Sequence, residues 1–212
     1  VVGSDNVFDF SIRLSMKITA IKQQAKNSDR VNVFVDGKYE FSLSLDELLQ
    51  QKIKNNAEVD KADVKRLKKI SADGKLRVRA MKWLLNRPHS TREFWDYLYR
   101  KKAEPELIES LIKEFSERGY LDDRKFGQWF IELHKHRGKS DRAVRSEMFK
   151  KGLGRELVDE LMAAEPDDEV ERLRKMIEKK KKLMRYRNDP QKLKQYLARE
   201  GFSYDLINEI LD

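Results

Sequence analysis

The chain has 212 residues and no cysteine, and hydrophobic and charged residues each make up 39% of it. So high a charged share leaves little for one large core and favours stacked small helical units; the missing cysteine excludes disulfides and thiolate chemistry. The 46 basic and 37 acidic residues give a net charge of +9, which favours an anionic partner such as nucleic acid or an acidic protein surface.

The chain begins with Val1, and a regular pattern starts only at Met16, so residues 1–15 are expected to be an upstream extension or a disordered tail. The stretch "RVNVFVDGKYEFSLS" reads as a β-hairpin. Val31, Val33 and Val35 alternate, Asp36-Gly37 supplies the turn, and Tyr39, Phe41 and Leu43 alternate on the return. "KITAIKQQ" alternates through Ile18 and either Ala20 or Ile21, and is a candidate third strand, since two strands alone are marginal. Residues 16–45 therefore form a hairpin domain. Ser44 and Glu47 make a capping box for a helix to about Ile53, and Asp60 caps another to about Ile70, so that 46–72 are linking helices.

The rest repeats. With an offset of fifty, Leu76 meets Phe126, Ser90 meets Ser140, Phe94 meets Val144, Leu98 meets Met148 and Ile108 meets Val158. With an offset of forty-nine, Val144 meets Leu193, Met148 meets Leu197, Gly152 meets Gly201 and Val158 meets Ile207. The second helix of each unit starts at an N-cap residue, Ser90, Ser140 or Asp189, with Glu93 completing a second capping box and Pro190 at a first helical position. The fold class is mainly α: three tandem three-helix repeats at 73–123, 124–168 and 169–212, in an elongated curved array behind a small N-terminal β segment. In the third unit Leu197, Phe202, Leu206, Ile207 and Ile210 are expected to be core.

No catalytic grouping stands out. Gly152 and Gly154 lack the spacing and the Lys-Ser/Thr of a P-loop. His134 and His136 lie two apart on a helix and face different ways, His89 sits in a turn, and neither a metal nor another cofactor is expected. Asp122 or Asp123 reads as the cap of the next helix rather than an acid–base pair. The chain reads as a non-enzyme.

What remains is positive surface. "RLRKMIEKKKKLMRYR", from Arg172 to Arg187, holds nine Lys/Arg against one Glu, including Lys179, Lys180, Lys181, Lys182, Arg185 and Arg187. Leu173, Ile177 and Met184 give it an apolar stripe, so it reads as one helix with a basic outer face. "KHRGKSDRAVR" adds Lys135, Arg137, Lys139, Arg142 and Arg145, and the first copy carries Arg87 and Arg92 in the same region. Positive charge at equivalent places on stacked units makes a stripe that can follow a phosphate backbone or an acidic groove. Trp83, Trp95, Trp129, Tyr97 and Tyr120 can stack on bases, but their helical spacing suits core positions.

Three stretches, "RAMKWLLNRPHSTREFWDYL", "ERGYLDDRKFGQWF" and "HRGKSDRAVRSEMFKKGL", together resemble the RecX family of bacterial recombination regulators, and the likeness extends over about 16–212. The resemblance implies a cytoplasmic, non-catalytic protein; separately, the chain is expected to be a monomer, and no run of 18 apolar residues is present to suggest a membrane partner. The resemblance also implies binding to RecA in the groove of its filament on single-stranded DNA, usually as an inhibitor. By the family pattern Arg87, Arg92, Arg137, Arg142, Lys150 and Lys151 fall at basic positions near caps and turn-ends. Two departures stand out. Lys102 occupies the place of Gly152 and Gly201, so the first copy is expected to end that helix differently, and Lys139 stiffens a turn where a second glycine is common. The dense run Lys179–Lys182 suggests direct DNA affinity. The alternatives are a RecA-independent nucleic-acid-binding protein and a helical protein–protein scaffold.

Overall fold

The computed structural model describes residues 15–164 and 168–211, so nearly all of the extension expected over 1–15 lies outside the described residues. Two compact units divide between Ala80 and Met81. No helix among the described residues is long and apolar enough to cross a membrane.

The first unit holds a four-stranded antiparallel sheet in the order β3-β2-β1-β4. Its strands are β1 (Met16–Gln24), β2 (Asn27–Val35), β3 (Lys38–Ser44) and β4 (Glu58–Val59). The candidate third strand is β1, and the ambiguity between Ala20 and Ile21 has a physical origin. Ile18 pairs with Val35 and Ala20 with Phe34, so Thr19 is an extra residue that resets the side-chain alternation. Ile18, Val31, Val33, Val35, Phe41 and Leu43 pack with Val64 and Leu67 of the following long helix.

Helix α1 (Leu45–Gln50) opens with the expected capping box: Ser44 Oγ accepts from the Glu47 amide at 3.1 Å, and Glu47 Oε2 accepts from the Ser44 amide at 2.7 Å. It ends before Ile53, where the chain turns through Lys52 at φ +52°. Asp60 Oδ1 accepts from the Asp63 amide at 2.8 Å and starts α2 (Lys61–Leu84). This helix does not stop near Ile70. It runs for 24 residues, so the second linking helix and the first helix of the first repeat are continuous. The lone interior Gly74 costs about 1 kcal/mol of helix propensity, too little to break it.

The second unit continues with α3 (Thr91–Arg100), α4 (Pro105–Glu117), α5 (Asp123–His136), α6 (Asp141–Lys150), α7 (Arg155–Ala164), α8 (Glu169–Lys181), α9 (Met184–Arg187), α10 (Pro190–Arg199) and α11 (Tyr204–Leu211). The matched positions are buried in every copy: Phe94, Val144 and Leu193, then Leu98, Met148 and Leu197, then Ile108, Val158 and Ile207. One core gathers Phe126, Phe130, Val144, Met148 and Leu161 from α5–α7. Another gathers Leu173, Ile177, Tyr186, Leu193, Leu197, Phe202 and Ile207 from α8–α11, with Leu206 and Ile210 partly buried beside it.

Three further expectations need correction. The basic run is not one helix. Helix α8 ends at Lys181, Leu183 is extended, and four residues form α9. Met184 is 74% exposed, and Tyr186 enters the core in its place. Consecutive lysines repel each other, and the guanidinium of Arg187 donates to the Lys181 carbonyl at 3.3 Å, satisfying an end that favours cations. Second, Lys102 ends its helix as the glycines do. Its φ is +58°, its amide donates to Tyr99 O and the Ala103 amide to Leu98 O, matching the bonds around Gly152 and Gly201. Third, the box at Ser90 is only half formed. Ser90 Oγ accepts from the Glu93 amide, but the Glu93 carboxylate is drawn elsewhere.

Candidate functional site

Each pair of neighbouring repeats meets through the start of one second helix and the end of the next. Ser90, the N-cap of α3, donates its hydroxyl to the Lys151 carbonyl at 2.8 Å, where Lys151 is the C-cap of α6. One copy later, the Ser140 amide meets the carbonyl of Glu200, the C-cap of α10, at 3.4 Å. The residue that opens the first helix of the following repeat closes the same seam. Asp123 Oδ1 accepts from the Thr91 amide at 2.7 Å, and Glu169 Oε1 accepts from the Asp141 amide at 2.8 Å. Asp122 is the N-cap of α5, accepting from the amides of Arg124 and Lys125. The carboxylate pair thus caps helices, Asp122 its own and Asp123 that of the preceding repeat.

Two glycines make this approach possible. A Cβ on Gly152 would lie 2.6 Å from Arg92 Cβ, and one on Gly201 would overlap Ser140 Oγ. Both residues have positive φ, +87° and +101°, so helix ending and close packing demand the same residue type.

The first seam encloses an ion cluster that the sequence only hinted at. Glu93 accepts from Arg87 Nη1 at 2.9 Å, from Arg87 Nη2 at 3.2 Å and from Lys151 Nζ at 2.7 Å. His89 Nδ1 lies 3.2 Å from Glu93 Oε2, and the buried imidazole stacks on Trp83 with centroids 3.5 Å apart. Burial works to raise the Glu93 pKa, but the hydrogen bonds from His89, Arg87 and Lys151, with the Arg87 charge, outweigh it and hold the carboxyl well below the usual range. Arg87 also lies over the Trp129 ring at 5.1 Å, tying the first repeat to the second. The second seam carries the reverse pair: Lys139 Nζ donates to Glu200 at 2.9 Å, which raises the Lys139 pKa against its partial burial. Lys139 therefore fills its turn position by bonding across the seam. Proline and histidine around position 89 gave only a turn signal, because nothing in a single sequence reveals that this turn and the end of α6 will share the Glu93 carboxylate.

The fifteen expected basic residues separate into three sets. Arg87, Lys139 and Lys151 hold the seams together, as does Arg142, whose Nε donates to the Gly201 carbonyl at 3.0 Å. Arg145 pairs with Asp159 across α6 and α7. Arg92 pairs with Asp96 at 3.3 Å and is exposed, as is Lys150. The second set, Lys135, Arg137, Lys179 and Lys180, lines a cleft of 740 Å³ between α5, α8 and α10. Arg172, Lys175, Glu132 and Tyr196 complete that wall, and Lys180 Nζ sits 4.3 Å over the Tyr196 ring. The third set, Lys181, Lys182, Arg185 and Arg187, is exposed around the break after α8, with Arg185 4.7 Å over Tyr186. Positive charge thus falls on a seam-side groove, a separate cleft and the exposed break after α8. Of the five aromatics, Trp83, Tyr97 and Trp129 are half-buried, whereas Trp95 and Tyr120 are exposed. Among the described residues no group of three His, Asp or Glu side chains is placed to hold a metal ion.

Comparison with known proteins accords with this architecture. The family model "Regulatory protein RecX N-terminal domain" matches residues 16–60, and "RecX, third three-helix domain" matches 167–211. Regulatory protein RecX of Bacillus pumilus is 31% identical over 199 residues, covering 92% of this chain and 76% of the relative. That of Bacillus subtilis is 30% identical over 201 residues, with the same coverage. A crystal structure of regulatory protein RecX shares the fold with a TM-score of 0.67 at 23% identity, over 91% of this chain and 97% of that one. The structure of RecX from Lactobacillus salivarius gives 0.54 at 22% identity, over 66% of this chain and 94% of that one. With a sheet-bearing N-terminal unit, repeated three-helix seams and this likeness over nearly all its length, the chain belongs to the RecX family of regulatory proteins.

Proposed function

We propose that this protein is a cytoplasmic regulator that binds the RecA recombinase and its filament on single-stranded DNA. It modulates RecA, chiefly by inhibition, restraining recombinase, ATPase and coprotease activities in DNA repair and the SOS response. The observation that carries this reading is family membership over 92% of the chain. Physical support comes from the positively charged groove along the seams and the cation-lined cleft, both suited to a partner built on a phosphate backbone. The protein acts by binding, with no catalytic step of its own. The test is RecA's DNA-dependent ATPase and strand exchange, measured with the protein at near-stoichiometric amounts. Suppression of both is expected; no change in either overturns the proposal.

The cleft favours a second reading, nucleic-acid binding without RecA, because Lys135, Arg137, Lys179 and Lys180 converge there. That reading expects affinity for DNA alone to fall by about 10³-fold or more between 50 and 200 mM salt if six or more phosphates are engaged. A flat salt response removes it.

A further inference from the structure

The three repeats provide an internal control for what the fold itself requires, and one position fails that control. Trp95 in α3 corresponds to Arg145 in α6 and Lys194 in α10. In the later copies this residue bridges the second helix to the third: Arg145 pairs with Asp159, and Lys194 Nζ donates to Asn208 at 2.8 Å, with Asp159 and Asn208 at matching places. In the first copy a tryptophan stands there, 39% exposed, stacked on Tyr99 with centroids 5.0 Å apart and planes 10° from parallel. Tyr99 is 63% exposed; its counterparts are Phe149, 44% exposed, in the second copy and Ala198 in the third, so only the first copy has both rings. The repeat fold is built without either ring in α10. Two large aromatic faces are left in water in α3, where folding gains little from them.

The charge around the pair selects an occupant. Arg92 precedes Trp95 by one turn, with its guanidinium 5.8 Å over the indole ring, and Arg100, Lys101 and Lys102 follow Tyr99 directly, all exposed. The stretch holds two acids, and both are engaged: Asp96 with Arg92 at 3.3 Å, and Glu93 with Arg87 and Lys151. Tyr99 and Arg100 also line a 450 Å³ cleft with Arg87 and Lys151. From Arg92 to Lys102 the stretch runs about 15 Å, the reach of a few nucleotides. Flat rings between cations suit unpaired bases joined by phosphates: the rings stack on bases of any sequence and the cations follow the backbone.

We propose that the Trp95–Tyr99 pair on α3, bracketed by Arg92 and Arg100–Lys102, is a stacking site for single-stranded nucleic acid, making the first repeat the one that touches the strand. The proposal deepens the reading that the protein works on single-stranded DNA. The test compares the full chain with Trp95→Lys/Tyr99→Ala, the residues that the third repeat carries at these places, and with Trp95→Phe/Tyr99→Phe. The probe is a fluorescein-labelled oligo(dT), and circular dichroism verifies folding. The Lys/Ala variant gains a positive charge, so purely electrostatic binding would tighten. The expected result is instead a loss of about tenfold or more, with the Phe/Phe variant near the unaltered chain. Unchanged or tighter binding by the Lys/Ala variant overturns the proposal, as does an unaltered chain that fails to bind the probe. RecA's ATPase is followed in parallel. A chain that binds oligo(dT) through these rings yet leaves RecA unaffected keeps this site and removes the RecA reading. A Lys/Ala variant that loses its effect on RecA while binding oligo(dT) normally assigns the rings to a protein partner and overturns the proposal.

Discussion

Gly152 lies against Arg92, so close that a β-carbon on the glycine would stand 2.6 Å from the β-carbon of the arginine. That close approach recurs one repeat later between Gly201 and the Ser140–Ala143 turn, and it sets how tightly consecutive repeats close. Gly152→Ala combines left-handed strain with a steric overlap against backbone-proximal atoms. The expected cost is about 2–4 kcal/mol in urea unfolding. Lys102→Gly, at the matching place with φ +58°, relieves strain and is expected to stabilise by up to about 1 kcal/mol. If both substitutions are neutral, the glycines have been given the wrong role.

The Glu93 cluster makes the first seam sensitive to acid. The carboxyl titrates near 4.5 when unfolded and lower when folded, so its contribution is fully present above about pH 4.5 and is lost as pH falls below that value. Glu93→Gln is expected to cost about 1–3 kcal/mol at neutral pH. The gap from the unaltered chain should close on acidification, read as converging urea midpoints between pH 7 and pH 3. A gap independent of pH would mean that the carboxylate charge is not what the cluster uses.

Cations of the seams and cations of the cleft should fail in different ways. Lys179→Gln/Lys180→Gln is expected to leave thermal stability unchanged while lowering the salt dependence of single-strand binding by about 0.7 for each phosphate no longer neutralised. Lys151→Met, which removes a partner of Glu93, is expected to lower stability by about 1–2 kcal/mol. Were Lys151→Met to weaken DNA binding alone, the division between the two sets would collapse.

Removing residues from Leu206 onward strips Ile207 from the core formed by Leu173, Leu197 and Phe202. Exposing those side chains is expected to lower solubility and to abolish cooperative melting of the third repeat, seen by circular dichroism. A truncated chain as soluble and stable as the full one contradicts the packing of the tail.

The regular parts of this fold were legible because local rules act within a few residues. The caps at Ser44, Ser90, Ser140 and Asp189 and the burial of Phe94, Met148 and Ile207 follow from spacing alone. What escaped was set by distant partners. Thr19 shifts the β1 register because β2 is there to receive it, and Glu93 leaves its own helix start because Arg87, His89 and Lys151 outcompete the Ser90 amide. The break after Lys181 depended on Tyr186 finding a buried place beside Tyr196, their rings 5.4 Å apart. The candidate site was legible as charge but not as arrangement, since sequence counts cations without showing that Lys139 and Arg142 are already engaged across a seam.

The seam between repeats is a head-to-tail joint, and such joints, unlike two-fold ones, can be copied indefinitely. A second molecule offering the same surfaces would extend the series into a fibre. Two residues of the repeats are poorly suited to that copy. Where Thr91 and Asp141 give an amide hydrogen to the next unit, the third repeat has Pro190, which has none. Where Gly152 and Gly201 leave room for the preceding unit, the first repeat presents the side chain of Lys102. The same two residues that look like irregularities of the repeat are the ones that disfavour copying the joint through these positions.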